Sequence, residues 1–398
     1  MMNNDKHQIH WKKVELGDVI DVFDSKRIPL SSIERKKRQG IFPYYGASGA
    51  IDYIDDYIFD GKYLLVAEDG ENLNSRKLPI AFWATAKFWV NNHAHIILGK
   101  EGVADTEFIK NWLLISNISG YITGAAQPKL SQANLKKIEL FLPPFEVQKK
   151  VGAIIACFDD LIENNTKRIK LLEQTAQLIY EEWFVNFRFP GHEMVGSDAM
   201  FGEMPESWSL APFSKVVDVN PQITFPKNRE HRFVTMGDLS VGAFVQIPDG
   251  KNTKAGKKFG HRDTLFARIT PCLENGKGGY MLLDDENEIL FGSTEFIVLR
   301  EKTLPSALVY LISRDERFRK HAQKSMVGAS GRQRVQEKCF DSYEVPVAPK
   351  PLLDKFEAIC KPIFREIYYL SHQNLALSRI RDFLLPKLMS DEMALFNQ

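Results

Sequence analysis

Several things are scarce in this chain, and each scarcity removes a class of function. No uninterrupted apolar run among its 398 residues approaches the length of a membrane span. The opening residues, MMNNDKHQIHW, lack the apolar core of a secretory signal. Only four cysteines occur, Cys157, Cys272, Cys339 and Cys360. They lie far apart and form no CxxC pair, so no disulfide framework and no metal site is expected, and a reducing cytoplasm fits. An excess of one charge is also missing: 52 Lys and Arg face 51 Asp and Glu, for a net charge of +1. A nucleic-acid role would have to come from where charge sits, not from its sum. The rest is ordinary globular material, 44% hydrophobic and 26% charged, with room for two or three domains.

What is present in force is a heptad seam. Over Pro144–Phe184 the apolar positions fall at Val151, Ile155, Phe158, Ile162, Ile169, Leu172, Ala176, Ile179 and Trp183, with Asn165 in the one polar slot. Steps of four and three residues place them on one stripe of a long helix. Forty residues at about 1.5 Å each make a rod of roughly 60 Å. Adding 205 to each position gives Phe356, Cys360, Ile363, Ile367, Leu370, Asn374, Leu377, Arg381, Leu384 and Leu388, again mostly apolar. Two rods in one phase point to an internal duplication.

The order of the chain agrees. Trp11 opens WKKVELGDVIDV, which reads as a short helix, and Trp208 opens its counterpart, PESWSLAPFSKVVDV. A basic stretch, Ser25–Arg38, is either a solvated loop or a phosphate binder. Short β-type runs between Gly and Asn/Asp turns fill 41–100, followed by a helix over Thr106–Asn117 and a strand over Ile138–Leu142. The second half repeats this plan, with a helix over Ser306–Gln323 and a strand over Tyr343–Val347. The loops GAAQPKLS and GASGRQRVQ stand just ahead of each rod, the second one residue longer. Between the halves, 185–207 reads as a connector.

Catalytic motifs are near misses. Leu142-Pro143-Pro144-Phe145 resembles the Pro-Pro-aromatic motif of amino-methyltransferases, but Leu142 cannot accept the hydrogen bond that motif needs. Gly276-Lys277 lacks the rest of a phosphate loop. His93 and His95 alternate in a strand-like run, one facing in and one out, and so make a poor metal pair. The acidic turns Asp55-Asp56 and Asp284-Asp285-Glu286 read as solvated. Binding remains. Arg suits guanine and Gln suits adenine, and both types occupy the loop Arg332-Gln333-Arg334.

Taken together, YYGASGAIDYIDDYIFDG, TGAAQPKLS leading to LPPFEVQKKV, EEWFVNFRFPGHE, LFARITPCLENGKGGY, GSTEFIVLR and FLLPKLMS resemble the specificity subunit of type I restriction–modification systems. The resemblance covers almost the whole chain. It implies an α+β fold: two target recognition domains of mixed sheet with helices, separated by two long antiparallel coiled-coil helices. The corresponding boundaries are 1–143, 144–184, 185–207 as connector, 208–348, 349–390 and a tail at 391–398. The family implies no catalysis in this chain. It reads the two halves of a bipartite, asymmetric site in double-stranded DNA. Two modification subunits supply S-adenosylmethionine-dependent N6-adenine methylation, and restriction subunits add ATP- and Mg2+-dependent translocation and cleavage.

Expected DNA contacts are Ser48, Arg76, Lys77, Gln127 and Lys129 in the first globule. In the second they are Lys251, Lys254, Arg268, Lys277, Arg332, Gln333 and Arg334. A stand-alone DNA methyltransferase or nuclease, or a coiled-coil scaffold without DNA binding, are the rival readings. Two departures stand out. Ser390-Asp391-Glu392 replaces the family's Ser-Gly-Glu, and Pro362 should kink or restart the second rod. Antiparallel rods would set Asn165 opposite Asn374, with Ile155, Ile162, Ile169 and Leu172 packed on Leu384, Leu377, Leu370 and Ile367. Ala176 would then meet Ile363. Val147, Ile154, Leu161, Leu171, Ile359, Phe383 and Leu385 lie off the seam and call for a protein partner.

Overall fold

The computed structural model describes residues 10–390 apart from 125, 193–203, 226–229, 251, 254 and 330. Lys251, Lys254, the tail from Asp391 with its Asp391-Glu392 departure, and residues 193–203 of the connector therefore lie outside the described residues. The fold mixes helix and sheet, and no helix among the described residues is long and apolar enough to cross a membrane. The chain divides into two compact units. One holds residues 1–162 and 376–398, the other 163–375.

The first unit contains β1 (Lys12–Glu15), β2 (Ile20–Val22), β3 (Gln39–Gly46), β4 (Gly49–Ile54), β5 (Phe59–Asp60), β6 (Tyr63–Ala67), β7 (Ala81–Ala84), β8 (Lys87–Val90), β9 (Ala94–Gly99) and β10 (Glu139–Leu142). One sheet has the order β2-β9-β6-β7 and a second the order β4-β3-β8-β5, with β3 and β8 parallel. β1 pairs with β10. The second unit contains β11 (Ser209–Pro212), β12 (Val217–Val219), β13 (His231–Val234), β14 (Asn252–Thr253), β15 (Lys257–Phe259), β16 (Thr264–Ala267), β17 (Gly278–Tyr280), β18 (Leu290–Gly292), β19 (Phe296–Glu301) and β20 (Glu344–Val347). Its orders are β12-β19-β16-β17 and β14-β13-β18-β15, with β13 and β18 parallel and β11 on β20. Strand for strand, the second topology repeats the first.

Three local expectations are corrected. The stretch after Trp11 is not one helix: β1, a single turn over Leu16–Val19 and β2 follow one another, because Lys12–Glu15 finds a β partner more than a hundred residues away in β10. The helix expected over Ser306–Gln323 breaks at Asp315, whose carboxylate accepts the Arg317 amide and starts a second helix. The helix Lys350–Leu388 runs unbroken through Pro362, whose neighbours Cys360 and Phe364 are buried in the core and hold the turn in place.

Two long helices, Phe145–Tyr180 and Lys350–Leu388, contribute to both units. Each helps to close the core of each globule. In the first unit Val151, Ile155, Leu385, Leu388 and Met389 join the cluster around Val66, Ile97 and Phe108. In the second, Ala176, Tyr180, Trp183, Phe356, Cys360 and Ile367 join Phe266, Ile297 and Phe340, with Ile169, Leu172 and Ile363 packed against them. The connector's first residues belong to this core too, since Phe187 and Phe189 are buried against Trp208.

Partners on the two helices run in opposite directions. Within the first unit Asp159 meets Arg381 at 2.8 Å. Within the second, Arg168 meets Glu366 at 2.7 Å, and the rings of Trp183 and Phe356 are 5.7 Å apart. Asn165, only 4% exposed, donates from Nδ2 to Asn374 Oδ1 and to Gln373 Oε1, each at 3.0 Å. The Arg381 guanidinium is taken by Asp159 and Asp382. Of the off-seam residues, Ile154, Leu161, Leu171, Ile359 and Phe383 are exposed, whereas Leu385 is buried and Val147 packs on the first core.

The amide layer gives a stability prediction. Asn374→Leu leaves the buried Asn165 amide short of an acceptor and should cost about 1–3 kcal/mol. The double variant N165L/N374L makes the layer apolar and should recover most of that loss. Urea denaturation of the full chain checks the order; a double variant no more stable than N374L would contradict it.

Candidate nucleic-acid interface

The loops ahead of the two rods hang from their globules by the same backbone bonds. In the first unit, Glu68 follows β6; its amide donates to the His93 carbonyl at 2.9 Å and its carbonyl accepts the Leu130 amide at 2.7 Å. In the second, Arg268 follows β16, donates to the Glu295 carbonyl at 3.0 Å and accepts from Val335 at 2.9 Å. The loops then close on themselves. Thr123 and Lys129 exchange two bonds of 2.8 and 2.7 Å, and Val327 and Arg334 exchange two of 3.1 and 3.0 Å. Each loop opens on a glycine with positive φ, Gly124 at 87° and Gly328 at 135°. A side chain on Gly124 would strike the Gln127 carbonyl, and one on Gly328 would sit 3.0 Å from the Arg332 carbonyl. Gln127 and Arg332 therefore occupy the same place, each on an exposed loop tip.

Side chains lock these loops differently. Lys129 Nζ lies 3.3 Å from Glu68 Oε1, and His93 Nδ1 lies 2.6 Å from Asp69 Oδ2. In the second loop Arg334 makes three bonds to the Glu295 carboxylate at 2.7–3.0 Å, and Glu295 holds its guanidinium above the usual range. The Gln333 amide donates to Thr270 Oγ1 at 3.2 Å. Arg268 is turned inward, to the Val335 carbonyl at 3.0 Å and Glu337 at 3.4 Å. Lys277 donates to the Met236 carbonyl at 3.1 Å. Among the described residues no hydrogen bond or ion pair takes the Gln127, Gln333 or Arg332 side chains.

The remaining first-unit candidates are scattered. Arg76 caps the end of the helix Thr106–Ile115, donating to the Leu113 and Ser116 carbonyls at 3.1 and 3.0 Å. Lys77 is exposed beside it, and Ser48 is exposed at the β3–β4 turn; no described bond joins either to the loop. The arginines of the basic stretch are paired with acids. Arg27 pairs with Glu68 at 2.6 Å, Arg35 with Asp52 at 2.9 Å and Arg38 with Asp55 at 2.9 Å.

With this geometry described, comparison with known proteins shows what the chain is similar to. A model of the type I restriction modification DNA specificity domain matches residues 8–174. The MjaIX specificity subunit of Methanocaldococcus jannaschii is 25% identical over 346 residues, 83% of this chain and 79% of the relative. A putative type I specificity subunit of Haemophilus influenzae is 27% identical over 249 residues, 61% of this chain and 58% of that one. The crystal structure of a type I S subunit from M. genitalium has the same fold, with a TM-score of 0.64, 15% identity and 98% of both chains covered. The chain is similar to type I restriction enzyme specificity subunits over most of its length.

The supports of the loops are residues that a search for cations passes over. Under the first loop, His95 is fully buried on β9, and Asp24 is 7% exposed. Asp24, Glu68 and His95 place ligand atoms within 4.8 Å of one another, a grouping that could hold a metal ion. Arg27 at Glu68 and Lys129 at its other oxygen already supply the positive charge there, so the cluster fits an ion-pair network better than a divalent cation. The only signal in the sequence was the acid pair Glu68-Asp69 directly after an apolar strand. A cleft of about 650 Å³ in the second unit is lined by Glu173, Gln177, Glu181, Arg314 and Arg317. Its arginines bond to the Gly276 and Val241 carbonyls and to Asp315.

Asp24 carries a pH prediction. Burial pushes its carboxyl up, but His95, the Ile96 amide and Gln132 together outweigh burial and hold it below its ordinary value of 3.8. A carboxyl lowered on folding adds stability above its unfolded value, and that stability is lost as pH falls through the folded one. Asp24→Asn should thus lower stability at neutral pH. It should also flatten the acid limb of the stability profile below about pH 4. Urea denaturation across that range checks it; parallel acid limbs for variant and parent would contradict it.

Proposed function

We propose that this chain is the non-catalytic, cytoplasmic sequence-recognition subunit of a type I restriction–modification complex. Each unit acts as a target recognition domain and reads one half of a bipartite, asymmetric site in double-stranded DNA. The single observation that carries this reading is the duplicated loop: one backbone frame, made twice, presenting Gln127 in one unit and Arg332 in the other. These are side-chain types that suit an adenine edge and a guanine edge. Lys129, Gln333 and Arg334 flank the tips; Ser48, Lys77 and the lysines Lys251 and Lys254 are secondary candidates for phosphate contacts. The paired long helices are the spacer between the two recognition domains. Two modification subunits supply S-adenosylmethionine chemistry, and any restriction subunits supply the ATP- and Mg2+-dependent steps, so this chain needs no cofactor of its own. The exposed off-seam residues Leu171 and Phe383 fit the docking surface for those partners.

Two experiments test this. First, methylated adenines are mapped in DNA from cells that carry the chain and its modification partner. Arg332→Ala should relax one half-site and Gln127→Ala the other, each by about 1–3 kcal/mol of discrimination. Relaxation of both half-sites by either variant, or methyl transfer by the purified chain alone, would overturn the reading. Second, Leu171→Ser and Phe383→Ser should weaken co-purification with the modification subunit while leaving the melting temperature within a few degrees of the parent. Undiminished co-purification by both variants would remove these residues from the interface.

A further inference from the structure

The two loops share a backbone frame, but only one rests on a buried charge network. Val66 on β6 pairs with His95 on β9, and at the same place Phe266 on β16 pairs with Ile297 on β19. The Ile96 amide donates to Asp24 at 2.9 Å, as the Val298 amide donates to Asn220 at 3.0 Å. The second unit thus has Ile297 and Asn220 where the first has His95 and Asp24. Both ring nitrogens of His95 face acceptors. Nδ1 meets Asp24 Oδ2 at 2.6 Å, and Nε2 meets the carbonyl of Leu130, the last loop residue, at 2.7 Å. Asp24 Oδ2 also accepts Gln132 Nε2 at 2.9 Å, just past the loop. Glu68, 3.6 Å from His95 Nδ1, holds Lys129 through its other oxygen. Three anchors, Lys129, Leu130 and Gln132, are thereby tied to one buried cluster. Nothing in the strand pairing requires a polar residue at position 95, since an isoleucine serves there in the second unit.

We propose that His95, oriented by Asp24, is the positioning residue of the first recognition loop and fixes Gln127 for base reading. This rests on the reading of Gly124–Leu130 as a DNA-contacting loop. His95 touches no DNA in this scheme. It acts through the Leu130 carbonyl, and its loss leaves the frame of the globule intact while the loop end is released.

The test compares His95→Leu, which imitates the apolar side chain of the second unit, with His95→Gln, which keeps N–H donors. Each is expressed as the full chain with its modification partner. Adenine-methylation maps report each half-site, and amide hydrogen exchange reports each loop. In H95L, discrimination at the first half-site should fall roughly tenfold, the size of one lost base contact, with the second half-site unchanged. H95Q should keep part of it. Exchange should quicken at Thr123 and Lys129 but not at Val327 and Arg334. A folded H95L that reads both half-sites as the parent does, or that relaxes both alike, overturns the proposal. Should H95L fail to fold, Gln132→Leu probes the same cluster from its half-buried rim: relaxation confined to the first half-site is expected, and unchanged discrimination there overturns the proposal. If the parent complex shows no site preference, the recognition reading fails. The exchange comparison still decides whether His95 orders the loop.

Discussion

Each globule closes its core on stretches of both long helices, and this burial is the constraint that everything else obeys. Leu385 and Leu388 of the second helix complete a cluster with Val151 and Ile155 of the first, beneath the sheet that carries β6 and β9. Phe356, Cys360 and Ile367 do the same with Ala176 and Trp183 in the other unit. A slip of one heptad would move a helix by about 10 Å and withdraw these side chains from both cores at once. Register is therefore held by two globules as well as by the seam, at a cost for misalignment of several buried large side chains, each worth about 1.5–3 kcal/mol.

Against that background the polar residues in the seam have a narrower task. Asn165 and Asn374 satisfy one another in a layer that is otherwise apolar. Arg381 is solved differently: Asp159, one residue beyond Phe158 on the facing helix, takes its guanidinium, and the mostly buried Lys110 closes on the same carboxylate at 3.2 Å. Neither arrangement is a large source of stability, since desolvation offsets most of what such contacts give. Both penalise every alternative alignment, where an amide or a guanidinium would face an apolar partner with no acceptor.

The seam and the duplication were legible in the sequence because both are one-dimensional patterns. The heptad spacing and the offset of 205 needed no knowledge of what packs where. Strand alternation predicted one of His93 and His95 inward and one outward; the structure buries His95 on β9 and leaves His93 exposed in the turn before that strand. What could not be read were pairings across distance. Lys12–Glu15 has the spacing of a helix, but β10 supplies a ladder that local propensity cannot see. Charge was misleading for the same reason. Arg35 and Arg38 form a basic run with Lys36 and Lys37 in the sequence, yet the fold brings Asp52 and Asp55 to the arginines. Arg268, Arg334 and Lys277 are likewise spoken for by Glu337, Glu295 and a carbonyl. Of a dozen plausible contacts, the residues left with uncommitted side chains at the loop tips stand out only once the acids are in place.

The two loops show how one fold can hold different chemistry. What suspends them is backbone to backbone: a strand-end carbonyl and amide, a closing pair of bonds, and a glycine that makes room for a carbonyl. No tip side chain takes part in these bonds, so the frame survives replacement of the residues at the tip. The side chains that stiffen it are local and interchangeable. Lysine on glutamate serves one loop and arginine on glutamate the other, with the acid supplied from the end of β6 in the first and from beside β19 in the second. A protein that must present different side chains to different sequences needs this separation between what fixes the loop's place and what projects from it. Where the frame is strictly backbone, substitutions at 127 or 332 should alter what is read without disturbing the globule. Where it leans on a buried cluster, as at His95, geometry and chemistry are coupled, and the loop is less free to change.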